Sequence, residues 1–217
     1  MPSFSELRTI MVDTQVRTAD VTKFPIIDAM LDVPREAFVP SNKRDVAYVG
    51  TNLPLSADRV VLDPRTLAKM LDALDIRPDE LVLDVGCGLG YSSAVIGRMA
   101  EAVVALEEDE GMAAEAEAAL TSVGADNVAV VTGPLAAGAA KHGPYDVITI
   151  QGGVEALPDA LVAQLKEGGR IGCIFMRGGL GTVRIGHKSG DTLDWRYAFN
   201  AAAPVLPGFA LIPSFAL

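Results

Sequence analysis

Residues 81–91, Leu-Val-Leu-Asp-Val-Gly-Cys-Gly-Leu-Gly-Tyr, decide the fold of this chain. An apolar strand runs directly into glycines at alternate positions (Gly86, Gly88 and Gly90), and a helix-like segment follows from Tyr91. Glycine accepts positive φ angles and, because it has no Cβ, lets the backbone come close to a ligand. A helix that starts after such a turn presents free N–H groups. The stretch therefore predicts a strand, a ligand-binding turn and a helix.

The glycine spacing argues against phosphate-bearing cofactors. A dinucleotide fingerprint has its third glycine three residues after the second, where this chain has Tyr91. A phosphate-binding loop needs Gly-Lys followed by Ser or Thr, which the turn lacks. A dinucleotide oxidoreductase is therefore a remote alternative. A tight structural turn that is capped by Asp84 and binds nothing is the other alternative.

The pattern Asp-x-Gly-x-Gly-x-Gly of residues 84–90, with Glu107 closing the next apolar run, resembles the first two motifs of Rossmann-like S-adenosylmethionine methyltransferases. The resemblance implies that Asp84 faces the methionine part and that Glu107 accepts the ribose hydroxyls. A sulfonium cofactor carries an ammonium group and no phosphate, so a carboxylate in the turn favours it. The resemblance places cofactor contacts at or beside these motifs and at the following strand ends: Asp84, Gly86, Cys87, Gly88, Gly90, Ser93, Glu107, Glu108, Gly133, Pro134, Leu135 and Gln151.

Composition limits the class of protein. The chain has 217 residues, half of them hydrophobic, which is enough to bury one large core. We expect a single methyltransferase domain over residues 1–217, with a helical and cap segment (1–63), a cofactor-binding core (64–176) and a hairpin with a tail (177–217). The net charge of −10 disfavours nucleic acid and anionic membranes as partners.

Cysteine usage and the N-terminal sequence indicate the compartment. Cys87 and Cys173 have no partner at disulfide or metal-ligand spacing, so we expect free thiols, a reducing compartment and no bound metal. The first residues lack the apolar core of a signal peptide, and no run approaches transmembrane length. The protein is therefore expected to be soluble and cytoplasmic; its oligomeric state cannot be read from the sequence.

Strands alternate with helices from residue 81 onward, which is typical of a parallel sheet covered on both faces. We predict an α/β fold of the Rossmann-like, doubly wound type, with a mostly parallel sheet, helices on both faces, an N-terminal helical extension and a C-terminal antiparallel hairpin. The ligand then lies at the carboxyl ends of the strands. The predicted helices cover 4–17, 23–31, 64–74, 91–99 and 113–120, and the predicted strands cover 60–62, 81–85, 102–107, 128–131, 145–150, 170–176, 180–185 and 193–199.

Several segments, in order between about residues 10 and 176, together resemble the protein-L-isoaspartate O-methyltransferase family, which methylates the abnormal α-carboxylate of isoaspartyl residues. The most specific segment is Val33-Pro34-Arg35 with Phe38-Val39-Pro40, and the others are Met11–Arg17, Ala47-Tyr48, Leu53-Pro54-Leu55, the glycine turn, Tyr145–Ile148 and Leu165–Arg170. The resemblance implies S-adenosylmethionine as methyl donor, S-adenosylhomocysteine as product, and an isoaspartyl protein or peptide as substrate.

The chain departs from the family in the segment that covers the active site. The family carries Gly-Gln-Thr-Ile-Ser there, and its hydroxyl residue contacts the substrate carboxylate; this chain reads Asp58-Arg59-Val60-Val61-Leu62. Leu62 thus replaces the hydroxyl residue. Arg59 could hold an acceptor carboxylate through two parallel hydrogen bonds, or could pair with Asp58 or Asp63 on the surface. We take Asp58, Arg59 and Leu62 as the candidate catalytic positions.

Two further departures concern the cofactor. Gly133-Pro134-Leu135 stands where the family has Gly-Asp-Gly, whose acid helps to hold the adenine. Gln151 stands where the family has a threonine, and it either faces the reacting centre or is a solvent-facing loop amide. Histidines 142 and 187, the two in the chain, are expected in exposed loops.

Given the departures in the active-site segment, the acceptor is an isoaspartyl carboxylate or another small carboxylate or hydroxyl compound. Alternatively, the chain has lost catalysis and acts as a sensor or partner-binding protein.

Overall fold

The computed structural model describes residues 2–211 and shows an α/β fold; Met1 and residues 212–217 of the predicted tail lie outside the described residues. The helices are α1 (Phe4–Met11), α2 (Phe24–Asp32), α3 (Pro64–Leu74), α4 (Tyr91–Gly97), α5 (Glu110–Ser122) and α6 (Asp159–Ala163). The strands are β1 (Leu53–Pro54), β2 (Val60–Val61), β3 (Leu81–Val85), β4 (Ala102–Glu107), β5 (Val128–Thr132), β6 (Tyr145–Val154), β7 (Leu165–Arg177), β8 (Leu180–Ser189) and β9 (Thr192–Asn200).

The main sheet has seven strands in the order β5-β4-β3-β6-β7-β8-β9. The pairs from β5 to β7 are parallel, and β7–β8 and β8–β9 are antiparallel. From β3, the strands β4 and β5 follow one another toward one edge of the sheet. From β6, the strands β7 to β9 follow one another toward the opposite edge. The strand order therefore reverses between β3 and β6, where open α/β sheets bind their ligands. The prediction of a mostly parallel sheet with a C-terminal antiparallel hairpin is confirmed.

The central strands are apolar on both faces, as expected for parallel strands covered on both sides. In β3, Val82 packs into a core formed with α1 to α5, and its neighbour Leu83 packs into a second core on the opposite face. The second face is covered by the short helix α6 and by the segment that carries Leu206 and Phe209. The long helices therefore lie mainly on one face, and irregular chain completes the other.

The N-terminal region differs from the single helix predicted over residues 4–17. The α-helix ends at Met11, a π-helical turn covers Val12–Val16, and a 3₁₀ turn covers Arg17–Ala19. Within the wider turn Val12 and Val16 are both buried, and Gln15 Nε2 donates to the Tyr48 carbonyl oxygen at 2.9 Å. This turn brings α1 onto the same core as α2 and α3. No helix among residues 2–211 is long and apolar enough to cross a membrane.

Candidate functional site

The glycine turn joins β3 to α4 and is tied to the end of β4. Gly86, Gly88 and Gly90 have φ angles of 74°, 56° and 94°. The N–H groups of Gly86 and Cys87 donate to the Leu106 carbonyl oxygen at 2.8 and 3.2 Å. A Cβ added to Gly88 would lie 2.6 Å from Leu55 Cδ1. The backbone angle favours glycine at this position, and the Leu55 side chain would have to shift to admit a Cβ.

Asp84 lies in β3 just before the turn and is fully buried. Its carboxylate accepts hydrogen bonds from Ser92 Oγ at 2.6 Å, Ser93 Oγ at 2.5 Å and Gln151 Nε2 at 2.7 Å. Burial raises the pKa of Asp84, and the three donors partly oppose that shift. The turn, the start of α4 and strand β6 therefore converge on one carboxylate.

Glu107 is the last residue of β4 and is also fully buried. Its Oε1 accepts from the N–H groups of Glu108 (2.8 Å) and Asp109 (3.1 Å), and its Oε2 accepts from Gly88 N–H (2.9 Å). The Arg59 guanidinium completes the set, with Nε 3.1 and 3.2 Å from the two carboxylate oxygens. Glu107 therefore links the glycine turn, the end of β4 and Arg59.

A short segment folds over the turn, and we call residues 53–62 the strap. It is an antiparallel pair, β1 with β2, whose loop is closed by hydrogen bonds from the Leu55 and Ser56 N–H groups to the Arg59 carbonyl oxygen. Arg59 is only 4% exposed. The sequence predicted that Arg59 would either bind the acceptor carboxylate or pair with Asp58 or Asp63 on the surface. In the structure its Nε donates to the Glu107 carboxylate. The Asp58 side chain, at 45% exposure, points away from the interior with its Oδ1 3.7 Å from Arg59 Nη1.

Leu62 is buried at the end of the strap and its backbone is held by an arginine. Arg35 is fully buried; its Nη2 donates to the Leu62 carbonyl oxygen at 2.8 Å and its Nε donates to the Ala47 carbonyl oxygen at 2.7 Å. The guanidinium carbon lies 4.6 Å from the centre of the Tyr91 ring. Burial lowers the pKa of Arg35, and the nearby Tyr91 opposes that shift. Arg35 thus fixes the strap to the first residue of α4.

A small cavity lies between the strap and the carboxyl ends of the strands, with about 10 Å³ of free space. This is roughly the room that one water molecule requires. Burial raises the pKa of Cys87 well above its ordinary value, so its thiol is protonated at neutral pH and is not a nucleophile. The residues that line the cavity are Val60, Val61, Leu62, Leu67, Cys87, Tyr91, Ser92 and Gln151.

The remaining predicted residues divide into buried and exposed positions. Gln151 is buried within β6, which excludes the alternative of a solvent-facing loop amide. Gly133 follows β5 and its N–H donates to the Glu107 backbone carbonyl oxygen at 3.0 Å, so the Gly133-Pro134-Leu135 segment adjoins the end of β4. Leu135 is buried, whereas Pro134 and Glu108 are exposed. No carboxylate takes the place of the missing acid within this segment.

The histidines lie away from this edge of the sheet. His142 is exposed in the turn before β6, as predicted. The prediction for His187 was wrong: it is half-buried within β8 and pairs with Arg170 near the start of β7, where Arg170 binds Glu80 just before β3. Both therefore lie toward the amino ends of the strands. Within residues 2–211, no group of three or more His, Cys, Asp and Glu side chains is placed to hold a metal ion.

Sequence reasoning missed Ser92 and Arg35 as parts of the site. Ser92 could have been found, because a Ser-Ser pair at the start of a helix that follows a buried Asp is suited to donate hydrogen bonds to it. Arg35 was noted as part of a family segment, but no local pattern shows that it reaches Leu62, 27 residues further along the chain.

Comparison with known proteins identifies the family. Residues 8–175 match the model of the protein-L-isoaspartate(D-aspartate) O-methyltransferase family. The chain belongs to this family. It is 36% identical over 171 residues to the protein-L-isoaspartate O-methyltransferase of Koribacter versatilis, covering 79% of this chain and 77% of that protein. It is 35% identical over 193 residues to that of Methylorubrum extorquens, covering 89% of this chain and 80% of that protein.

Solved structures support the same fold. One protein-L-isoaspartate O-methyltransferase structure superposes with a TM-score of 0.80 at 24% identity, over 95% of this chain and 66% of that chain. A Plasmodium falciparum protein solved in complex with S-adenosyl-L-homocysteine superposes with a TM-score of 0.79 at 18% identity, over 95% and 99% of the two chains. The predictions of the family, of its fold and of an S-adenosylmethionine-dependent O-methyltransferase of the protein-L-isoaspartate type are confirmed.

Proposed function

We propose that this chain binds S-adenosylmethionine at the carboxyl ends of β3 and β4 and transfers its methyl group to the α-carboxylate of isoaspartyl residues in proteins or peptides. The observation that carries the proposal is the placement of two buried carboxylates at the positive-φ glycine turn: Asp84 precedes it in β3, and Glu107 accepts from its Gly88 N–H. Carboxylates suit a ligand that presents an ammonium group and ribose hydroxyls, and they would repel a phosphate. The chemistry of these two carboxylates therefore fits this cofactor.

The roles of the residues follow from this placement. Asp84, oriented by Ser92, Ser93 and Gln151, would hold the ammonium group of the methionine part. Glu107, oriented by three backbone N–H groups, would accept the ribose hydroxyls. When bound, the cofactor supplies an electrophilic methyl group on a positively charged sulfur. The apolar strap residues Val60, Val61 and Leu62 would exclude water from that centre.

Methyl transfer to the acceptor requires alignment of the acceptor carboxylate with the methyl group more than it requires proton transfer. An isoaspartyl α-carboxylate is ionised at neutral pH and so attacks without a general base. The histidines, which lie toward the opposite ends of the strands, are not needed for this chemistry. The cavity bounded by Leu62, Tyr91 and Gln151 adjoins the Asp84 group, so we assign the acceptor carboxylate to this side of the strap.

The direct test is a pair of measurements on the whole chain. Calorimetric titration with S-adenosylmethionine and S-adenosylhomocysteine should show binding of both. Methyl transfer should then occur to an isoaspartyl peptide and not to the same peptide with normal aspartate. An absence of binding would contradict the proposal entirely. Binding without transfer to the isoaspartyl peptide would remove the repair substrate and favour another acceptor, or a sensor function.

Leu62→Ser is expected to raise kcat/KM for the isoaspartyl peptide by about tenfold, since a hydroxyl that hydrogen-bonds a charged group is worth roughly 1.5–3 kcal/mol. Leu62 occupies the position of the hydroxyl residue that contacts the substrate carboxylate in the family, and it lines the cavity beside Gln151. Initial rates with the isoaspartyl peptide measure the effect.

Leu62→Ala is the matched control, because it opens the same space without adding a hydroxyl. Both variants lose a buried leucine side chain, at a cost of about 2–5 kcal/mol, so each is compared below its own unfolding temperature. Equal gains in the alanine and serine variants would show that space alone limits the reaction, and would contradict the role given to the hydroxyl.

A further inference from the structure

Arg59 already binds the Glu107 carboxylate, which the proposed function assigns to the ribose hydroxyls. The Glu107 oxygens already accept from the Gly88, Glu108 and Asp109 N–H groups. Arg59 Nε lies 3.1 and 3.2 Å from the same two oxygens. A carboxylate offers about four lone-pair sites, so these donors saturate it. Ribose hydroxyls could therefore reach Glu107 only if Arg59 left it.

Arg59 has other carboxylates within reach at the rim of the site. Its Nη1 lies 3.7 Å from Asp58 Oδ1, and its Nη2 lies 4.0 Å from Glu108 Oε2. The Asp58 and Glu108 side chains are 45% and 44% exposed, whereas the Glu107 side chain is fully buried. A small outward movement of the guanidinium would exchange a buried partner for exposed ones without leaving the cation unpaired. The electrostatic cost of releasing Glu107 is reduced accordingly.

The strap that carries Arg59 is buried in the core through Leu53, Val60, Val61 and Leu62, whereas Ser56 and Ala57 at its tip are exposed. Its two strands pair over only two residues each, and Leu55 covers Gly88 through a single flexible side chain. A further attachment lies at the other end, where Arg35 binds the Leu62 carbonyl oxygen. A movement limited to this exposed tip and to the Arg59 side chain would leave the buried residues of the strap in place.

We propose that Arg59 is an affinity-determining gate: its guanidinium competes with the cofactor ribose for Glu107, and the cofactor enters when Arg59 transfers to Asp58 and Glu108. This inference rests on the proposed function, because it requires Glu107 to be the ribose acceptor. The site then has a closed arrangement, with Arg59 on Glu107, and an open arrangement, with Arg59 at the rim. A ligand that binds only the open arrangement has its apparent affinity reduced by the open fraction.

Arg59→Met tests the gate, because methionine keeps most of the apolar stem and removes the guanidinium. Calorimetric titration with S-adenosylhomocysteine should give a dissociation constant about tenfold lower than that of the wild-type chain. Asp58→Asn combined with Glu108→Gln removes the partners at the rim and should raise the dissociation constant severalfold. That second effect should disappear when Arg59→Met is also present.

Arg98→Met is the matched control. Arg98 forms a more exposed ion pair with Asp32 (Nε to Oδ2, 2.7 Å) on another part of the surface, and its replacement changes the net charge by the same amount. It should leave the dissociation constant within about twofold of wild type. Arg59→Lys, which keeps the charge and loses the planar fork, should fall between the wild-type chain and Arg59→Met, and it serves if the methionine variant does not fold.

Two nucleosides separate competition for Glu107 from simple obstruction. Adenosine carries the ribose hydroxyls and 2′,3′-dideoxyadenosine lacks them, so Arg59→Met should improve binding of adenosine more. Equal gains for both nucleosides would mean that Arg59 only fills space, and would overturn the proposed competition. An unchanged or weaker affinity of Arg59→Met for S-adenosylhomocysteine would overturn the gate, provided that the wild-type chain binds. If neither chain binds, the proposed function itself fails.

Discussion

Glu107→Ala is expected to lower the free energy of unfolding by about 3–5 kcal/mol, the usual cost of removing one partner of a buried ion pair. The substitution leaves the Arg59 guanidinium without its buried carboxylate, and it leaves the Gly88 N–H without its acceptor. Affinity for S-adenosylhomocysteine should fall by at least about 100-fold, since hydrogen bonds to a charged group are worth roughly 1.5–3 kcal/mol each. Urea unfolding and calorimetric titration measure the two effects.

Glu108→Ala is the matched control for stability. Glu108 is the next residue, also carries a carboxylate near Arg59 and is 44% exposed, so its loss should cost less than about 1 kcal/mol. Adding Arg59→Met to Glu107→Ala removes the unpaired cation and should restore part of the lost stability. If Glu107→Ala unfolds at the same urea concentration as Glu108→Ala, the buried pair does not stabilise this fold.

Asp84→Asn is expected to weaken binding of S-adenosylhomocysteine without lowering the stability of the fold as Glu107→Ala does. Asparagine keeps the shape of the side chain but carries no charge to attract the ammonium group, so affinity for S-adenosylhomocysteine should fall by about 100-fold or more, as for a lost contact between two charged groups. Burial raises the pKa of Asp84, which means that the ionised carboxylate is less favourable in the folded chain than in the unfolded one. The variant should therefore lose its ligand without the instability of Glu107→Ala.

The pH dependence of stability provides a second readout for Asp84. Because the folded-state pKa lies above the unfolded one, the folded chain holds the proton more tightly. The contribution of Asp84 to stability is fully present below the unfolded pKa and is lost as the pH rises through the raised folded pKa. Wild type should therefore lose stability relative to Asp84→Asn over that interval. Urea midpoints measured at a series of pH values test this sign.

Asp146→Asn should show the opposite sign. Burial acts to raise the pKa of Asp146, but hydrogen bonds from Lys166 and from the Leu81 N–H outweigh it and lower the pKa. Its contribution to stability is present above the unfolded pKa and is lost as the pH falls through the folded pKa. If both variants shifted in the same direction relative to wild type, the assignment for Asp84 would be wrong.

The elements with a local physical signature could be predicted from the sequence. Strands β3 and β4 are short apolar runs ended by a glycine or an acid, and their predicted bounds agree with the structure. Helix α3 begins with Pro64 in its first turn, after Asp63, whose side chain accepts from the Thr66 N–H at 2.9 Å. Such capping signals act within four residues, so a single sequence contains them.

Features that depend on distant chain segments could not be predicted. Strand β6 was expected to end at Ile150, but it continues to Val154. Gly152 and Gly153 make room for the C-terminal segment: a Cβ on Gly152 would lie 2.5 Å from Leu206, and one on Gly153 would lie 2.7 Å from the Ala203 carbonyl oxygen. The pairing of Arg59 with Glu107 likewise spans 48 residues and leaves no local pattern.

The strap contributes to the site separately from the sheet and the glycine turn, and this separation affects how the sequence of such an enzyme can diverge. Ten consecutive residues carry one side of the small cavity and the cation on Glu107, whereas the sheet, the glycine turn and Asp84 are built from other parts of the chain. Within the strap, Leu53, Val60, Val61 and Leu62 are buried in the main core, whereas Ser56 and Ala57 at its tip are exposed. With the roles proposed for Arg59 and Leu62, variation in this one segment would change donor affinity and acceptor choice together, while the sheet and the glycine turn stay the same.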